Sequence, residues 1–97
     1  MSDKQHNNYS TDQDTLLEFP CTFQVKAIGH LDDSFELLVI EIVNKHVENI
    51  PEGAVTKRES GNGKYLSVSV EFIATSKLQL DTIYIELSGH DRVVMAL

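Results

Sequence analysis

The chain has one cysteine and only eight lysines and arginines in 97 residues, and each of these scarcities removes a class of function. The lone Cys21 has no partner for an intrachain disulfide. Eight basic residues against fifteen acidic ones leave a formal net charge of −7. A surface of that sign repels phosphate backbones, which are bound by neutralising them with cations, and it repels anionic membrane surfaces. No apolar run approaches the length needed to span a bilayer. None follows Met1-Ser2-Asp3-Lys4-Gln5-His6, so a signal peptide is not expected. The expectation is a reduced, cytoplasmic, soluble protein with no nucleic-acid partner, no membrane partner and no cofactor.

What is present suffices for one modest domain. A chain of this size buries about 60–65% of the surface it exposes when unfolded. Residues 1–15 are almost wholly polar, with Tyr9 the only aromatic, and cannot bury enough apolar surface to offset their ordering entropy. They are expected to form a disordered tail, with a single domain over residues 16–97.

Within that domain the apolar periodicity switches between two and about three and a half. Cys21, Phe23, Val25 and Ala27 alternate with Thr22, Gln24 and Lys26, which predicts a half-buried strand opened by Pro20 and ended by Gly29. Phe35, Leu38, Val39, Ile42, Val43 and His46 recur at helical spacing. Asp33 and Glu36 have the spacing of a capping box, and Pro51 stops the helix by Ile50. The polar run 54–60 predicts an edge strand, and Gly61-Asn62-Gly63 a hairpin turn built on positive φ. In 65–75, Leu66, Val68, Val70, Phe72 and Ala74 share one face, while Tyr65, Ser67, Ser69, Glu71 and Ile73 share the other. A second helix is capped by Ser76 with Gln79 reaching back, carries Leu80, Ile83, Tyr84 and Leu87 inward, and ends at Gly89 in a left-handed cap. Residues 92–97 form a last apolar strand.

The order is β-α-β-β-α-β. Right-handed crossovers turn that order into a four-stranded antiparallel sheet with both helices on one face, an α+β ferredoxin-like fold.

The ordered set Leu17-Glu18-Phe19-Pro20, Phe23, Lys26, Gly29, Gly63-Lys64-Tyr65, Ser67-Val68-Ser69-Val70, Ala74-Thr75 and Val93-x-Met95-x-Leu97 resembles the YbeD-like family of small bacterial proteins over residues 16–97. The resemblance implies a ferredoxin-like fold similar to ACT regulatory domains, which bind small effectors such as amino acids. It implies no catalytic residue set.

Several chemistries known on this fold lack their residues here. Soft-metal transfer needs paired thiolates and an iron–sulfur cluster needs four cysteines; neither is met by Cys21. An acylphosphatase-like cradle needs arginine and free amides after the first strand, where Gly29-His30-Leu31-Asp32-Asp33 supplies carboxylates. RNA recognition stacks bases on aromatics of the central strands, and Tyr65 alone is no platform. No catalytic residues are expected.

Two candidate sites follow, from different function classes. The uncovered sheet face, with Gln24, Lys26, Tyr65, Ser67, Ser69, Glu71 and Ile73, is either solvated or a docking face for a protein partner or a second copy. That reading makes the chain a regulatory or adaptor domain. The loop cluster Gly29, His30, Asp32, Asp33, His90 and Asp91 falls at one sheet end, because the first and last strands are antiparallel neighbours. It is either a pair of exposed loop histidines or a group suited to a divalent metal, or to a charge switch near about pH 6.5. In an ACT-like dimeric sensor the effector binds near the loop after the first strand. Cys21 and His46 are expected to be structural, and Lys57-Arg58 a solvated edge.

Overall fold

The computed structural model describes residues 17–97; the polar segment 1–15 lies outside the described residues. Six elements follow in the expected order: β1 (Cys21–His30), α1 (Phe35–Asn44), β2 (Val55–Glu59), β3 (Tyr65–Ala74), α2 (Lys77–Ser88) and β4 (Val93–Ala96). The sheet order is β2-β3-β1-β4, every neighbouring pair antiparallel, which is the ferredoxin-like arrangement. β1 and β3 are central and pair over ten residues, from Cys21 with Ala74 to His30 with Tyr65.

Alternation along the central strands decides which face is covered. Val25 and Ala27 of β1 and Leu66, Val68, Val70, Phe72 and Ala74 of β3 are buried. They form one cluster with Phe35, Val39, Ile42 and Val43 of α1 and with Leu80, Ile83 and Leu87 of α2. Both helices therefore lie on the same side of the sheet. Each fully buried side chain such as Phe72 or Ile83 contributes about 1.5–3 kcal/mol of transfer free energy. Cys21 packs at the margin of this core.

Four local expectations are corrected. Gly29 does not end β1. It is a strand residue paired with Leu66 and Val93 at a register shift between Ile28 and Gly29. A Cβ there would lie 2.4 and 2.5 Å from Phe35 Cε1 and Cζ and 2.6 Å from the Arg92 carbonyl oxygen, so glycine is required by close approach. The Asp33–Glu36 capping box is replaced by Asp32, whose Oδ1 accepts from the Ser34 N–H at 2.8 Å and from Ser34 Oγ at 2.7 Å. Ser34 holds the N-cap position, and an aspartate two residues earlier is suited to this local turn. Of the hairpin glycines only Gly63 has positive φ, +72°; Asn62 Oδ1 closes the rest of the turn by accepting from Ser60 Oγ and the Lys64 N–H. Gly89 caps α2 at φ −84°, not left-handed.

The start of α2 is tied to the end of α1. Ser76 Oγ accepts from the Gln79 N–H at 3.1 Å. The Gln79 side chain accepts from the Thr75 N–H at 2.8 Å and donates to the His46 carbonyl at 2.7 Å. Glu86 adds a second tie, to Lys45 and, at 2.8 Å, to His46 Nε2. His46 is thus engaged through its backbone carbonyl by Gln79 and through its ring by Glu86.

Candidate functional site

The face opposite the helices carries the side chains that alternate with the core set. On β3 these are Tyr65, Ser67, Ser69, Glu71 and Ile73, and on β1 they are Gln24, Lys26, Ile28 and His30. Cross-strand register brings further residues onto it. Thr56 and Arg58 of β2 pair with Ser69 and Ser67, and Met95 of β4 pairs with Ile28. Leu97 exchanges both backbone hydrogen bonds with Lys26, at 3.0 and 2.8 Å. Two rows of side chains therefore cross the sheet, Thr56-Ser69-Lys26-Leu97 and Arg58-Ser67-Ile28-Met95.

The short serines form a floor between long neighbours. Ser69 is only 8% exposed although no helix covers it, because the surrounding side chains stand above it. Two adjoining depressions result. One of about 430 Å³ is lined by Lys26, Ile28, Arg58, Glu59, Ser60, Gly61, Tyr65 and Ser67. The other, about 280 Å³, is lined by Lys26, Thr56, Lys57, Arg58, Ser67 and Ser69. At the end of the face His30 stacks obliquely on Tyr65, ring centroids 5.2 Å apart. Gln24 and Glu71 are exposed and paired across β1 and β3, away from the two depressions.

Arg58, Ile28, Met95 and Leu97 belong to this face and were not among the residues expected there. Arg58 reaches this face through the hairpin, which pairs Glu59 with Leu66 and so sets Arg58 opposite Ser67.

The loop cluster is assembled differently from the expectation. Gly29 and Val93 pair, so His30 and His90 do lie near one sheet end. Their rings are engaged separately, His30 with Tyr65 and His90 through Nδ1, which accepts from the Arg92 N–H at 3.1 Å. Arg92 Nη2 lies 2.9 Å from Asp32 Oδ1, an ion pair by distance whose angle falls short of a hydrogen bond. The Ser34 hydroxyl and N–H, with the Arg92 guanidinium alongside, hold the Asp32 carboxyl below the ordinary carboxylate range. Asp33 joins Leu31, Asp32, Glu36, Lys57, Arg58, Glu59 and Leu66 around a depression of about 290 Å³, while Asp91 does not line it. Among the described residues no three of His, Cys, Asp and Glu are grouped to hold a metal ion. No helix among them is long and apolar enough to cross a membrane.

Comparison with known proteins finds similarity along most of the chain. A family model described as "Protein of unknown function (DUF493)" matches residues 14–97. A UPF0250 protein of Chromobacterium violaceum is 40% identical over 88 residues, covering 91% of this chain and 99% of that protein. A UPF0250 protein of Ectopseudomonas mendocina is 38% identical over 86 residues, covering 88% of this chain and 94% of its own length. The solution structure of protein HP0495 from H. pylori superposes with a TM-score of 0.66 at 18% identity, over 100% of this chain and 94% of that one. At that identity the likeness concerns the fold.

Proposed function

The chain belongs to the DUF493 family, as its resemblance to YbeD-like proteins implies, and from that premise we propose that it is a non-enzymatic regulatory or adaptor domain that binds a protein through its open sheet face. The family's relatives carry no enzymatic name. The observation that carries the proposal is the serine-floored trough. Two adjacent depressions lie on this face, Ser67 lining both and the enclosed Ser69 one of them. Close approach of a partner's backbone or side chains is what short side chains between long ones allow.

The test is matched capture from native lysate with the unsubstituted protein and Ser67→Trp. Tryptophan fills the trough, is uncharged, and suits a strand. A partner retained by the native protein and lost by the folded variant supports the reading. Equal capture by both contradicts it.

The alternative, an ACT-like dimeric sensor of a small amino-acid-like effector, is favoured by the depression that Leu31, Asp32 and Asp33 line beside β2. A ligand bound only by the folded state at about one hundred times its Kd raises stability by about 2.7 kcal/mol. A metabolite panel read by thermal unfolding tests it, and silence across the panel contradicts it.

A further inference from the structure

We propose that the partner segment docked on the open face is acidic, and that Lys26 and Arg58 pair with its carboxylates above the Ser67 and Ser69 floor. This rests on the adaptor reading and adds the chemistry of the partner. The protein has fifteen acidic residues, yet none lines the depression formed by Lys26, Thr56, Lys57, Arg58, Ser67 and Ser69, and Glu59 is the one acid that lines the adjoining depression. Lys57 is already paired with Glu36 at 3.0 Å. Lys26 and Arg58 are not: among the described residues neither forms an ion pair, whereas Lys45, Lys57, Lys77 and Arg92 each do.

The register places the two cations on either side of β3. Arg58 stands opposite Ser67 and Lys26 opposite Ser69, on strands roughly 10 Å apart. Both line both depressions. Two like charges over one trough disfavour each other unless an anion lies between them, and the two serine hydroxyls are further donors for that anion.

The nature of the anion follows from what surrounds the cations. Phosphate sites on protein backbones rely on free amides, but β3 is paired on both sides and presents none here. Next to the cations on the β4 side are Ile28, Met95 and Leu97, the last two half exposed. Cations beside apolar side chains complement an amphipathic acidic protein segment.

The experiment titrates isotope-labelled native protein with a hexaglutamate peptide, and separately with hexalysine and with inorganic phosphate, following amide signals by NMR. Hexaglutamate should move the signals of Lys26, Arg58, Ser67 and Ser69, the effect should fade in high salt, and hexalysine should leave them in place. Lys26→Gln with Arg58→Gln keeps much of each side chain's bulk and should weaken binding about tenfold or more. No movement of those signals with hexaglutamate, or equal affinity in the folded double variant, overturns the inference. So does movement with inorganic phosphate alone. Loss of the captured partner in Ser67→Trp but not in the double glutamine variant overturns the acidic chemistry and leaves the adaptor reading standing.

Discussion

Replacing Gly29 by alanine puts a single methyl group into the tightest place in the fold, and its cost follows from the geometry. The new Cβ meets two carbons of the Phe35 ring at 2.4 and 2.5 Å and the Arg92 carbonyl oxygen at 2.6 Å, where carbon–carbon contacts are most favourable at about 3.5–4.0 Å. Relief requires about 1 Å of movement on two sides. Phe35 is fully buried in the core, and the Arg92 carbonyl is backbone beside the irregular pairing of β4. Overpacking of this kind costs about 1–3 kcal/mol, and two rigid obstacles place it near the upper end. Against that, alanine restricts the unfolded chain and recovers about 0.4–1 kcal/mol. The net expectation is a loss of about 2 kcal/mol, or roughly 10 °C in Tm for a domain of this size. Urea unfolding followed by circular dichroism measures it, with an unchanged m-value. Gly61→Ala is the internal control, because a Cβ there meets nothing within 4 Å; it should be neutral or slightly stabilising. Combining Gly29→Ala with Phe35→Leu should cost less than the sum of the two, since one obstacle is removed. Were Gly29→Ala as neutral as Gly61→Ala, the close-approach account of β1, α1 and β4 would be refuted.

Other outcomes follow from the ties between the helices. Gln79→Ala removes an acceptor for Thr75 and a donor for His46 and should cost about 1–2 kcal/mol by chemical unfolding, with Gln79→Glu recovering only the Thr75 bond. Hydrogen bonds from Lys45 and then His46 hold the Glu86 carboxyl below its ordinary range. Its folded pKa is depressed, so its contribution is present above the unfolded value of about 4.3 and is lost as pH falls through the folded one. Glu86→Gln should therefore be less stable than the native protein near neutral pH, by about 0.5–1 kcal/mol for so exposed a pair. The two should converge in acid; a difference that persisted below about pH 3 would contradict this origin.

The central strand β3 and the helix α1 were legible because the core positions of each recur at a single period. Leu66, Val68, Val70, Phe72 and Ala74 of β3 are buried at every second position, and Phe35, Val39, Ile42 and Val43 fall on one helical face. What was not legible depends on residues far apart in the chain. Gly29 has the composition of a strand end; its actual requirement comes from the Phe35 ring and the Arg92 carbonyl. The helix start was misplaced by one acid, because Asp32 and Asp33 differ only in which is two residues before Ser34. Among the site residues, Lys26, Tyr65, Ser67 and Ser69 were visible from alternation on their own strands. Arg58 was hidden in a run that is polar on both faces, and only its pairing with Ser67 places it beside Lys26. Met95 and Leu97 were hidden because β4 pairs irregularly with β1, so its alternation cannot be counted in from Gly29.

The open sheet face has a rival, since Leu78 and Ile85 of α2 are 74% and 73% exposed on the helical side. The most direct measurement is photocrosslinking in living cells with a photoreactive phenylalanine analogue placed at Thr56 on the open face and, separately, at Leu78 and Ile85. The account predicts a discrete protein adduct from Thr56 and none from the two helix positions. Adducts from Leu78 or Ile85, with Thr56 silent, would contradict it and move the docking surface to the helices.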